Sequence, residues 1–294
     1  MFGNILKKIR YVFEALIVSL GMWFFRVLGL KKSTAISSKI AKLVGAKLAV
    51  NQLAYKNLQL ALPNLNEQQR LKIIDKMWDN LGRIIGEFVH ICQKTPQQIE
   101  NFCEVDENSR QVIESLRASN KGAIVFSGHL GNWEIGPKLL IAMGLKVNVV
   151  YRPLNNPYVE EMTAKLRQVK MIEKGVNGTR KIIEALQKNE IVIILADQKI
   201  SEGQRIKFFH QEADTTTSIA RMALKYDVAV IPARVIRKNN DFNFRVEFEK
   251  PLEFKKSMML NEDITSLTLL VNQKLERWID EYPDQWFWVH NRWK

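Results

Sequence analysis

GAIVFSGHLGNWEIG, residues 122–136, joins a short apolar run to a turn bracketed by glycines and then to a second apolar segment. The run GAIVF (122–126) predicts a buried strand, because a brief β-branched and aromatic stretch ending at glycine suits a sheet covered on both faces. His129 falls in the turn between Gly128 and Gly131, and Glu134 follows five residues later. Five residues subtend about 500° of an α-helix, roughly 140° off one face, so a continuous helix would point the two side chains apart. His129 is therefore expected ahead of the helix. A helix opening near Asn132, with that residue as N-cap, places Glu134 in the first turn, where the helix dipole favours a carboxylate and where it reaches back to an imidazole nitrogen.

Outward from this stretch, KVNVVY (146–151), EIVIIL (190–195), VAVIPARVI (228–236) and FNFRVEFE (242–249) alternate with amphipathic helical segments. That alternation predicts an α/β fold: a mixed, mostly parallel sheet flanked by helices. Ligands in such folds bind outside the carboxyl ends of the strands, so chemistry is sought in the residues just after each run. Upstream, residues 33–93 carry apolar residues at helical spacing through Leu71, Ile74, Trp78, Leu81 and Ile85. Further upstream, an apolar run from Tyr11 to Leu30, broken by Glu14 and Arg26, is flanked by Lys7, Lys8, Arg10, Lys31 and Lys32. No small-residue cleavage site follows the run, and its aromatic and basic content suits an N-terminal helical membrane anchor that is shallow, tilted or interfacial. The expected organisation is an anchor helix over 1–32, a helical lead-in over 33–100 and a catalytic region over 101–294.

With 294 residues, 46% of them hydrophobic, and only 14 Gly and 8 Pro, the chain can bury a large core, which excludes global disorder and collagen-like structure. Its net charge of +13 favours a polyanionic partner, and an anionic membrane surface fits better than nucleic acid. No aromatic–basic RNA-binding motif, zinc knuckle or helix-turn-helix pattern is present, so nucleic acid is not expected as a partner. Cys92 and Cys103 are read as reduced core thiols, and no His, Cys and carboxylate spacing matches a metal site, so no metal and no cofactor are expected.

A histidine held by a carboxylate is a general base: the acid sets the tautomer and stabilises the imidazolium formed when an attacking hydroxyl gives up its proton. The plainer reading is a helix N-terminus where His129 and Glu134 merely satisfy backbone groups. Arg152, just after KVNVVY, is expected on the same sheet edge as His129, where its planar fork suits phosphoryl oxygens. Asp197 closes EIVIIL in a position to orient a base or a sugar hydroxyl. The Thr215–Thr217 cluster precedes a helical pattern and offers hydroxyls and free N–H groups to an anion or a developing oxyanion. His90, His210 and His290 lack a useful carboxylate spacing and are read as structural. WFWVHNRWK (286–294) reads equally as an interfacial aromatic belt or as a tail packed back on the core.

Several motifs occur in one order: NLQLALPNLNEQQR (57–70), SGHLGNWE (127–134), YRPLNNP (151–157), LADQ (195–198), FFHQEADTTTSIARMA (208–223) and EYPDQWFWVHNRWK (281–294). In these the chain resembles the bacterial lipid A biosynthesis acyltransferases, within the wider membrane glycerolipid acyltransferases. The resemblance implies that His129 and Glu134 form a catalytic dyad, and that Arg152, Arg167 and Asp197 are substrate-binding positions, Arg152 facing the phosphate of a phosphorylated glucosamine. It also implies acyl carrier protein as acyl donor, a lipid A precursor as acceptor, and a place at the bacterial inner membrane with the catalytic region facing the cytoplasm. Where relatives carry Gly, this chain has His210, which alters the loop. Acylation of another glycolipid or a lysophospholipid, and a non-catalytic lipid-binding role, remain the alternatives.

Overall fold

Seven segments form one sheet: β1 (Cys103–Glu104), β2 (Ala123–Ser127), β3 (Val147–Tyr151), β4 (Lys170–Glu173), β5 (Ile191–Leu195), β8 (Ala229–Arg237) and β9 (Phe244–Phe248). Their spatial order is β1-β9-β8-β2-β5-β3-β4, and a separate antiparallel hairpin joins β6 (Gln204–Phe208) to β7 (Gln211–Thr215). This is a computed structural model, describing residues 2–199, 203–239, 241–254, 256–257 and 259–293. Every neighbouring pair in the sheet is parallel except β8 with β9. The mixed, mostly parallel sheet expected from the alternation is therefore present.

Pro232 interrupts an otherwise β-branched run, and its missing N–H has a structural counterpart. It pairs with Phe126 at the last parallel register with β2, and the antiparallel pairing with β9 begins one residue later at Ala233. The proline thus sits where β8 passes from one partner to the other, and its carbonyl accepts from Glu249 N–H at 2.9 Å. Three short elements carried too little hydrophobic signal to be expected: β1, β4 and the hairpin.

Helices precede and flank the strands: α1 (Phe2–Leu28), α2 (Leu30–Gly45), α3 (Val50–Ala61), α4 (Glu67–Ile91), α5 (Pro96–Glu100), α6 (Glu107–Ser119), α7 (Ile135–Ala142), α8 (Pro157–Arg167), α9 (Val176–Gln187), α10 (Ser218–Tyr226) and α11 (Leu260–Glu281). Alternation along β2 explains the layers. Ile124 and Phe126 join one core with side chains of α3, α4, α9, α10 and α11, whereas Ala123 and Val125 join another with α5, α6 and α7. Both faces of the sheet are covered. α1 differs from the rest: its 24-residue stretch Ile5–Leu28 is apolar enough on average and long enough to cross a membrane, and its most apolar window is not buried.

Candidate active site

The carboxyl ends of β4, β3, β5 and β2 lie side by side, and the residues leaving them are Lys174, Arg152, Asp197 with Gln198, and His129. Adjacent strands are about 4.8 Å apart, so β5 brings its acid within reach of the turn after β2. Asp197 Oδ1 lies 2.9 Å from His129 Nδ1, and Asp197 Oδ2 accepts from the His129 backbone N–H at 2.8 Å. The indole N–H of Trp286 donates to the same oxygen at 2.8 Å. Burial alone would raise the Asp197 pKa, but the attraction and hydrogen bonds of His129 outweigh it and hold the carboxyl well below the usual range. An ionised Asp197 makes Nδ1 the protonated nitrogen of a neutral imidazole and leaves Nε2 as the acceptor. Nε2 faces the Gln198 amide nitrogen at 3.4 Å, a long contact that an incoming hydroxyl can replace.

Glycines make the turn possible. A Cβ on Gly128 would press on the Leu275 side chain at 3.2 Å and touch the Asp197 carboxyl carbon at 3.4 Å, an ordinary contact. Gly131 has φ +57°, and a Cβ there would meet the Val235 carbonyl oxygen at 2.0 Å, so only glycine fits.

The expected contact between Glu134 and the imidazole is corrected: the acid on His129 is Asp197, and the Glu134 carboxylate is held by Arg167. Arg167 Nε lies 3.2 and 3.1 Å from the two Glu134 oxygens and Nη2 lies 3.0 Å from Oε1. The reason is the helix start. α7 opens at Ile135 rather than near Asn132, which leaves Glu134 at the cap position with no side-chain capping bond. Asn132 is buried instead, its amide donating to Glu87 at 2.8 Å while its Oδ1 accepts from the Glu134 N–H at 3.2 Å. The guanidinium of Arg167 also stacks over Phe88, 5.2 Å from the ring centre. Burial would lower the Arg167 pKa, but the Glu134 carboxylate outweighs it and raises it.

All four of His129, Glu134, Arg152 and Arg167 line one crevice of about 200 Å³, with Gln198 and Lys174. Its floor is apolar, from Val149, Met171, Ile193 and Pro137. Arg152 stands at the mouth, exposed, its side chain donating to Asn155 Oδ1 at 3.2 Å. Asp197 is behind the wall, reaching the crevice through His129. Thr215–Thr217 are not among the lining residues; Thr215 accepts from Arg292 at 2.9 Å in the core behind. His210 is an exposed turn residue of the β6–β7 hairpin, and His90 joins α4 to Ser33 Oγ at 3.0 Å and to the Phe25 carbonyl at 3.2 Å. Both cysteines are free thiols pushed up to about 12 by burial, and Cys92 lies in the crevice wall.

Two features were missed. Beneath the turn, Arg237 pairs with Glu87 at 2.6 and 2.9 Å and with Asn80 at 2.9 Å, all three buried, and Asn80 donates to the Gly131 carbonyl at 2.9 Å. The signal was Glu87 inside the apolar run IIGEFV and Arg237 closing the mostly apolar run VIPARVIR. Breaking such a buried pair by removing one partner costs about 3–5 kcal/mol. The second is the tail's direct hold on the site: buried Trp286 donates to Asp197, and Phe287 N–H donates to the His129 carbonyl at 3.2 Å. Of the two readings of the tail, packing back on the core is the one realised.

The model of the family "Bacterial lipid A biosynthesis acyltransferase" matches residues 2–294. A lipid A biosynthesis acyltransferase of Haemophilus influenzae is 25% identical over 284 residues, covering 92% of this chain and 85% of its own. The lipid A biosynthesis lauroyltransferase of Escherichia coli is 24% identical over 255 residues, 83% and 78% of the two chains. A palmitoleoyltransferase of the same organism is 24% identical over 249 residues, 82% and 78%. A full-length family match, carried on a fold that sets a histidine and an acid at adjacent strand ends, makes this chain a member of the bacterial lipid A biosynthesis acyltransferase family and an O-acyltransferase.

Proposed function

We propose that the protein moves a fatty acyl chain from an acyl thioester, with acyl carrier protein as donor, to a hydroxyl of a lipid A precursor at the inner membrane, from the cytoplasmic side. The observation that carries this reading is the His129 imidazole held at Nδ1 by buried Asp197, with Nε2 open to a crevice lined by Arg152. His129 Nε2 takes the proton of the acceptor hydroxyl as its oxygen attacks the thioester carbonyl carbon. A C–O bond forms, the tetrahedral intermediate collapses, the C–S bond breaks, and the imidazolium returns the proton to the leaving thiolate. Asp197 keeps the tautomer and stabilises the imidazolium. Glu134, set by Arg167 on the crevice wall, accepts from the acceptor sugar and orients its hydroxyl, and Arg152 binds the phosphate of the same acceptor by its bidentate fork.

A cavity of about 200 Å³ is smaller than ordinary ligand pockets of roughly 300–1,000 Å³, so it encloses the reacting groups and lets the lipid chains leave through the mouth. The exposed apolar side of α1, including Ile9, Phe13, Leu16 and Trp23, supports a membrane seat for residues 1–32, with 33–100 as lead-in and 101–294 as the catalytic region. The net charge of +13 favours an anionic leaflet. Mass spectrometry of lipid A tests the reading: cells lacking the gene should lose one fatty acyl mass, restored by the wild-type gene and not by His129→Ala. Unchanged lipid A in the deletion strain would refute it.

A further inference from the structure

The Asn156 side chain ties helix α1 to the wall of the crevice. Asn156 Nδ2 donates to the Tyr11 carbonyl at 2.8 Å and to Glu14 Oε2 at 3.0 Å. Its Oδ1 accepts from the backbone N–H groups of Tyr158 and Val159 at 3.1 and 3.4 Å, capping α8. A primary amide can do both because it carries two donors at one end and an acceptor at the other. Asn156 is buried, and the other oxygen of Glu14 faces Arg10 at 3.3 Å. A carboxylate in the middle of an apolar run is costly near lipid unless it is partnered by protein, and here the partner belongs to the catalytic region.

α8 carries this contact to the reacting groups. Just before it, Leu154 N–H donates to Glu160 Oε2 at 2.7 Å, fixing the loop that begins at Arg152, and its last residue is Arg167, which holds Glu134. Leu154 and Tyr158, beside the mouth, are exposed apolar side chains like those of α1. We infer that Asn156 is a positioning residue that fixes the membrane-seated helix to the acceptor-binding wall, so that the crevice mouth is presented to the polar headgroups of a glycolipid still embedded in the bilayer. This rests on the membrane seat of α1 proposed above.

Asn156→Asp separates the two halves of the contact: the carboxylate still caps α8, but it has no donor for the Tyr11 carbonyl and sets a second negative charge against Glu14. The full chain is assayed with lipid A precursor in detergent micelles and in vesicles of phosphatidylethanolamine and phosphatidylglycerol. Asn156→Asp should sediment with vesicles as wild type does and keep detergent activity within about twofold. On vesicles its activity should fall about tenfold, as a raised apparent KM for the acceptor, in keeping with loss of a charge-assisted hydrogen bond. Glu14→Gln/Asn156→Asp exchanges donor and acceptor and should restore most of the vesicle activity. Equal losses in both media, normal activity of Asn156→Asp on vesicles, or no recovery in the double variant would each overturn the coupling. Wild-type protein left in the supernatant would overturn the membrane seat itself, and the coupling with it.

Discussion

Two acid pairs border the crevice with nearly equal atomic separations, 2.9 Å for His129–Asp197 and 3.0 Å for Arg167–Glu134, yet they are built differently. Asp197 is 1% exposed and takes three hydrogen bonds, from the imidazole, the His129 N–H and the Trp286 indole. Glu134 and Arg167 keep 17% and 20% of their side chains open to the crevice. Distance therefore does not distinguish the pairs; burial of the acid does, since His129 itself is 17% exposed. A buried carboxylate that loses its partner is left as an uncompensated charge, whereas a pair on an open wall can trade part of its bonding for a substrate hydroxyl at small cost. The inner pair is suited to fix a proton position, and the outer pair to meet a ligand.

The comparison breaks most visibly at the inner pair. His129→Ala should lower acyl transfer by about 10²–10⁴-fold with the thermal transition intact, the usual contribution of a general base. Asp197→Asn should approach the same loss because it no longer enforces the Nδ1–H tautomer; the corresponding change in a serine protease costs about 10⁴-fold. Single-turnover rates check both, and near-normal turnover by folded Asp197→Asn would erase the distinction drawn here.

At the outer pair, Glu134→Gln and Arg167→Gln should each cost about 10–10²-fold, on the scale of one or two hydrogen bonds to a charged group. The double variant should cost little more than either single one, because both remove one shared interaction. Additive losses would mean that the two residues serve different ligands. Arg152→Lys should keep part of the activity and Arg152→Ala less, with the change in KM rather than kcat, since phosphate contacts are alike in the ground and transition states. A dephosphorylated acceptor should remove the difference between Arg152→Ala and wild type.

The smallest effect concerns stability. His290 lies in the tail near Asp197 with neither ring nitrogen hydrogen-bonded among the described residues, and burial pushes its pKa down to about 4 from 6.5, against the opposing pull of Asp197. Between those values the unfolded chain binds a proton that the folded chain does not, so this residue's contribution to stability is greatest above about pH 6.5 and declines as pH falls toward 4. Wild-type Tm should drop by about 3–5 °C more than that of His290→Asn between pH 7 and pH 5. Parallel pH profiles by calorimetry would show that the inner site is wetter than its packing indicates.

What was legible in the sequence follows from local rules. Short β-branched runs between amphipathic helices specify strands covered on both faces, and strand ends in such sheets gather the site, so His129 and Arg152 could be placed on one edge before any contact was known. The unburied apolar length of α1 and the glycine turn after β2 are equally local. The identity of the acid on His129 is not local. Spacing offered Glu134, five residues away, but Asp197, 68 residues away, is the partner because β5 rather than β3 pairs with β2. Strand order depends on how whole hydrophobic faces are covered, a non-local choice that residue spacing does not encode. The same holds for Trp286 on Asp197, for Glu87 on Arg237, and for Asn156 on Glu14: each polar group found its partner only when distant segments were buried together, since burial without a partner would cost more than the fold can spare.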